Sequence, residues 1–176
     1  MNTILPVENN DVLSALRGFL KRLMDEGIVE AILVPLQNGG SGSLALVTDS
    51  AILDGANPLM PVMPINATRA VSALTGKQSP TQLGVVLRSC EIRALVELVK
   101  LQQASLDDVT LIGVDCPGTC ELDEFLVSDS WRAENLSAYL AAAHEGNEPQ
   151  MSLPLRAACR MCIHPGDPES GRILRQ

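Results

Sequence analysis

A chain of 176 residues, 46% hydrophobic and 19% charged, has the apolar content for one sizeable core and is short for two domains of ordinary size. Thirteen Lys and Arg against 21 Asp and Glu leave a net charge of -8, and aromatic residues make up only 2%. Unaided nucleic-acid binding is therefore excluded on two counts, the missing basic footprint and the missing stacking platform, and the core must be aliphatic. The longest apolar run, Ala31 to Leu36, is strand-sized, so no membrane span is expected. The acidic start from Met1 to Val12 does not resemble a secretory signal, which places the chain in the cytoplasm with its cysteines reduced.

In chain order, Asn10 or Asp11 caps a helix to about Glu26, with Val12, Leu13, Leu16, Phe19, Leu20 and Leu23 on one stripe and Gly27 as the stop. Two apolar, β-rich runs follow, Ile28 to Pro35 and Ser43 to Thr48. They flank Gln37-Asn-Gly-Gly-Ser-Gly42 and predict a hairpin. A phosphate cradle is the sharper reading of that Gly-rich loop, but the required Lys and the following helix are missing. Ala56 to Pro64 is a Pro- and Met-rich connector, and Asn66 caps a short helix through Leu74.

Leu83 to Leu87 predicts a buried strand, Arg88 to Cys90 a tight turn, Glu91 to Gln103 a helix, and Val109 to Val114 a second strand parallel to the first. Asp115 to Cys120 is a loop, Ser128 to His144 a surface helix, and Gly146 to Pro154 a linker. The expected organisation is one α/β domain over residues 1–162, a mixed and partly parallel sheet flanked by helices, with a cysteine-rich loop region suited to binding a metal or cluster. Residues 163–176 form a polar tail that orders only against a partner.

The chemistry lies in the five cysteines. Cys116 and Cys120 follow the second parallel strand, where ligands collect in open sheets, and Cys159 and Cys162 make a second close pair. Two such loops facing each other close a four-thiolate set suited to zinc or to an iron–sulfur cluster, and this grouping is favoured over chance pairing. One pair follows a parallel strand, unlike the hairpin knuckles of a zinc ribbon, which leans toward a cluster. A redox dithiol at Cys159 and Cys162 lacks the usual strand-to-helix setting. Arg156 and Arg160 flank the second pair as candidate counter-charges. His164 and His144 are dispensable beside four thiols. Cys90, at the head of a helix, is a candidate low-pKa thiol on electrostatic grounds or simply a small residue packing a turn.

Leu87 to Leu101 (LRSCEIRALVELVKL), Leu111 to Glu121 (LIGVDCPGTCE) and Ala158 to Cys162 (ACRMC) together resemble the coenzyme F-420 hydrogenase/dehydrogenase beta-subunit family. The resemblance runs from about Asn57 to Cys162. It implies one [4Fe-4S] cluster on Cys116, Cys120, Cys159 and Cys162, and electron transfer inside a multi-subunit hydrogenase, formate dehydrogenase or heterodisulfide-reductase-like complex. Ser89 stands where the family turn carries proline. The chain also ends 14 residues after Cys162, without the further lobe that helps longer members bind FAD, so flavin is expected on a neighbouring chain. Two rival readings make different demands on the same residues: a zinc-stabilised interaction module without redox activity, and a flavin-dependent reductase subunit.

Overall fold

In a computed structural model the described residues are 5–9, 11–38, 41–63, 65–76, 82–127 and 153–163. Helix α1 spans Val12–Asp25, and the Asp11 carboxylate caps it by accepting from the Ser14 N–H at 2.9 Å. Its buried residues Leu16, Leu20 and Leu23 fall at helical spacing on one face. Gly27 follows with φ +67°, a left-handed turn that suits glycine.

Strands β1 (Ala31–Asn38) and β2 (Ser41–Val47) pair antiparallel, Ile32 opposite Val47 and Asn38 opposite Ser41. The hairpin is as predicted, but its strands extend through most of the Gly-rich segment that the sequence pattern assigns to a loop. A 3-10 turn at Ser50–Gly55, unmarked in the sequence reading, packs Leu53 beneath α1. Helix α2 (Ala67–Leu74) begins at the expected Asn66 cap.

Strand β3 (Leu83–Arg88) lies parallel to β1 and to β4 (Val109–Val114), which gives the order β2-β1-β3-β4. The predicted α/β class with a mixed, partly parallel sheet is what the structure shows. All six residues of β3 are buried, as expected for a strand covered on both faces. Alternation along the strands sends Ile32, Val34, Val86 and Ile112 toward α1, and Ala31, Leu33, Leu83, Val85 and Leu87 toward α2 and α3.

The predicted turn at Arg88 to Cys90 is not a turn. β3 runs directly into α3 (Ser89–Lys100), and Cys90 occupies the helix's first turn. The physical reason is Glu91, whose carboxylate accepts from the Arg88 N–H at 3.0 Å and closes the helix start from within. Helix α4 (Leu122–Val127) was not anticipated from the sequence pattern. The predicted helix at Ser128 to His144, most of the linker and the tail beyond Ile163 lie outside the described residues, as do His144 and His164.

Candidate functional site

The parallel register pairs Arg88 with Val114, so Cys90 and Cys116 each stand two residues beyond the last paired position of neighbouring strands. Neighbouring strands lie about 4.8 Å apart, so the two cysteines emerge side by side at the carboxyl edge of the sheet. Beyond Cys116, the Gly118 N–H supports the Cys116 sulfur, and the chain turns through Gly118 at φ +110°. Gly118 is required there for a second reason. A β-carbon would come within 2.9 Å of a Leu155 methyl. The loop after β4 and the segment from Leu153 to Ile163 are thereby pressed together.

Hydrogen bonds fasten that junction. Cys120 forms an antiparallel bridge with Leu155, the Arg156 N–H donates to the Thr119 carbonyl at 2.8 Å, and the Thr119 hydroxyl lies 3.3 Å from the Cys159 sulfur. Cys159 sits on a short helix, Ala157–Arg160, and the Cys162 N–H donates to the Cys159 carbonyl at 3.1 Å. The third wall is the connector ahead of α2. The Pro61 carbonyl accepts from the Cys120 N–H at 2.7 Å, and Met60 and Val62 pack with Phe125 and Leu153.

The connector is held by Arg88, a residue that the sequence reading passed over as part of a turn. Its side chain is 4% exposed. Nε and Nη2 donate to the Pro58 carbonyl at 3.3 and 3.2 Å, and Nη2 also donates to the Met60 carbonyl at 2.6 Å and the Val62 carbonyl at 3.3 Å. Glu91, also buried, gives its second carboxylate oxygen to the Ala67 N–H at 2.8 Å and so ties the start of α2 to the start of α3. The available sequence signal was a charged residue ending a wholly apolar strand, with a glutamate three positions later. Between connector, hairpin and α3, a cavity of about 20 Å³ is lined in part by Met60, Val62, Arg88 and Glu91. It has room for one water-sized molecule.

Electrostatically the thiols divide. Burial pushes Cys116 up, opposed by the Arg88 charge and the Gly118 N–H, while a Cys159 thiolate nearby pushes it further up. Cys120 is pushed up to about 11, first by burial and then by Cys159 and Glu124. Cys90 is also raised, by burial and by Cys116 and Glu91. Of the two readings of Cys90, an acidic thiol at a helix start and a small residue packing a turn, its burial favours the second. Cys159 goes the other way. Desolvation is its largest single influence and raises it, but hydrogen bonds from Thr119 and Arg156, with the Arg156 charge, together hold it below the ordinary thiol value.

The structure therefore brings Cys90, Cys116 and Cys120 each within electrostatic reach of Cys159, and Cys90 within reach of Cys116, and keeps Cys162 one turn from Cys159. Arg156 acts on the thiols, whereas Arg160 is solvent-exposed. Among the described residues, no three His, Cys, Asp or Glu side chains already stand as a metal-holding group. The thiols are neighbours across a junction and not a finished coordination shell.

No family model matches the chain. Over 116 residues it is 30% identical to the beta subunit of F420-dependent formate dehydrogenase 1 from Methanococcus maripaludis, a match that covers 64% of this chain and 29% of that subunit. The chain is thus distantly and partially similar to a subunit of a formate dehydrogenase, and the match spans less than a third of its relative. Among the described residues, no helix is long and apolar enough to cross a membrane.

Proposed function

We propose that this protein is an iron–sulfur electron-transfer subunit of an anaerobic, cytoplasmic oxidoreductase complex, relaying single electrons through one [4Fe-4S] cluster. The observation that carries the reading is the fastened junction between the loop after β4 and the segment around Cys159, which brings two cysteine arms from distant sequence to one sheet edge. Cysteine thiolates are the donors such clusters take. The residues present fit the group in kind, four thiols on two arms that meet at one junction, and binding would have to draw them into a coordination shell.

Cys116, Cys120, Cys159 and Cys162 are the proposed ligands, and Cys90 stands beside them as a fifth thiol. Cys159 is the thiol best prepared to ligate, because Thr119 and Arg156 already favour its ionised form. Burial opposes ionisation of Cys116 and Cys120, so loading releases their protons and becomes easier as pH rises. Arg156 supplies positive charge beside an anionic centre and favours its reduced state. A bound cluster would accept and return one electron. The remaining work falls to the chain, which excludes water through Phe125, Met60 and Val62 and presents the sheet edge to partner subunits. Similarity to a formate dehydrogenase beta subunit supports a setting among partner subunits.

The test is anaerobic purification with any copurifying partners, then iron, sulfide, zinc and flavin analysis and EPR after dithionite reduction. About four irons and four sulfides per chain are expected, with the reduced-cluster signal lost in Cys116→Ala and Cys159→Ala. One zinc without inorganic sulfide, in protein never exposed to oxygen, overturns the reading.

A further inference from the structure

The buried end of Arg88 carries donors that the fold does not use. The side chain is 4% exposed, and its Nε and Nη2 groups serve the Pro58, Met60 and Val62 carbonyls. Nη1 is buried and has no hydrogen-bond partner among the described residues. The positive charge is also unanswered by an acid, since the ion pairs among the described residues are Lys21–Asp54 and Lys100–Glu97. Carbonyl dipoles meet only part of what a buried cation needs.

Arg88 also lines the cavity of about 20 Å³ between connector, hairpin and α3, which has room for one guest the size of a water molecule. Much of the wall is apolar, with Leu44, Met60, Val62 and Met63 in it. Helices α2 and α3 begin at Ala67 and Ser89, and Ala67, Arg88 and Glu91 place both starts against the cavity, where the partial positive charge of a helix N-terminus favours an anion. Glu91 opposes one, but its two oxygens already accept from the Ala67 and Arg88 N–H groups. A water molecule would bring two O–H donors to a wall poor in acceptors. A monatomic anion takes donors only and supplies the charge that Arg88 lacks.

We infer that this cavity is a binding site for one monatomic anion of halide size, held by Nη1 of Arg88. The ion completes the fork that holds the connector, whose Pro61 carbonyl accepts from the Cys120 N–H at 2.7 Å, and so braces one wall of the cysteine junction. The site is independent of what the cysteines bind.

The experiment measures the urea stability of the full chain, purified anaerobically under reductant, as chloride or bromide replaces bulky gluconate at fixed ionic strength. Wild type is expected to gain stability saturably with either halide, because a ligand of the folded state stabilises it by mass action. Arg88→Met should weaken the halide affinity about tenfold, and Glu91→Gln, which removes negative charge from the wall, should tighten it about tenfold. Crystals soaked in bromide should show an anomalous peak beside Nη1. Equal stability of wild type in halide and gluconate overturns the inference and leaves the cavity to water. A halide effect identical in wild type and both variants, or bromide peaks at the surface alone, marks an adventitious ion only and overturns it as well. If Arg88→Met does not fold, Glu91→Gln decides, with tightened affinity supporting the site and unchanged affinity overturning it.

Discussion

Replacing Glu91 with alanine removes the single carboxylate on which two helix starts depend. Glu91 is 5% exposed and accepts from the Ala67 N–H at 2.8 Å and the Arg88 N–H at 3.0 Å. A hydrogen bond to a charged acceptor contributes about 1.5–3 kcal/mol, and each donor left unsatisfied costs about 1–3 kcal/mol. Recovered solvation of the lost carboxylate offsets part of that. Glu91→Ala is therefore expected to destabilise the metal-free protein by about 3–4 kcal/mol, a large share of the about 5–15 kcal/mol typical of a domain. Glu91→Gln keeps an acceptor oxygen for one of the two donors and should cost about half as much. Urea denaturation followed by far-UV circular dichroism under reductant measures both, and hydrogen exchange should show the Ala67 and Arg88 amides losing protection together. Glu91 also raises Cys90 and Cys116, so Glu91→Gln should shift their alkylation profiles to lower pH. A loss below about 1 kcal/mol for Glu91→Ala, or equal losses for both variants, refutes the shared-carboxylate account.

At mildly alkaline pH, Cys159 should alkylate faster than Cys90, Cys116 or Cys120, and Thr119→Val should slow it by removing a donor to the thiolate; equal rates in wild type would contradict the assigned electrostatics. Cys120 is raised from 9.0 to about 11, so the fold holds its proton more tightly than the unfolded chain does. Its contribution to stability is full below pH 9.0 and lost as pH rises through about 11, and Cys120→Ala should flatten that part of the stability–pH curve. Gly118→Ala should cost about 1–2 kcal/mol for its left-handed backbone alone and more for the overlap with Leu155. Adding Leu155→Ala should recover the steric part only, measurable in urea titrations, whereas full recovery would show that the backbone conformation carries no strain.

Local chemistry made much of the fold legible. The Asp11 and Asn66 caps, the stripe of Leu16, Leu20 and Leu23, and the apolar strand at Leu83 mark their elements through interactions spanning a few residues. The start of α3 was misread because its closing group is a buried glutamate inside the helix, and a sequence pattern does not show whether such a carboxylate faces backbone or water. The small helix at Leu122–Val127 and the turn at Ser50–Gly55 are too short for periodicity to distinguish them from loops.

The site divides the same way. Cysteine spacing by itself proposed two thiol arms, and the strand–helix–strand pattern by itself placed Cys90 and Cys116 at strand ends. Only the tertiary structure decided that Cys90 stands beside Cys116, that Thr119 and Arg156 make Cys159 the acidic thiol, and that Arg88 supports the connector from within. Spacing and capping act over a few residues and leave their mark on the chain, whereas desolvation and charge at a thiol depend on groups that meet through folding from distant positions, such as Thr119 and Cys159, 40 residues apart.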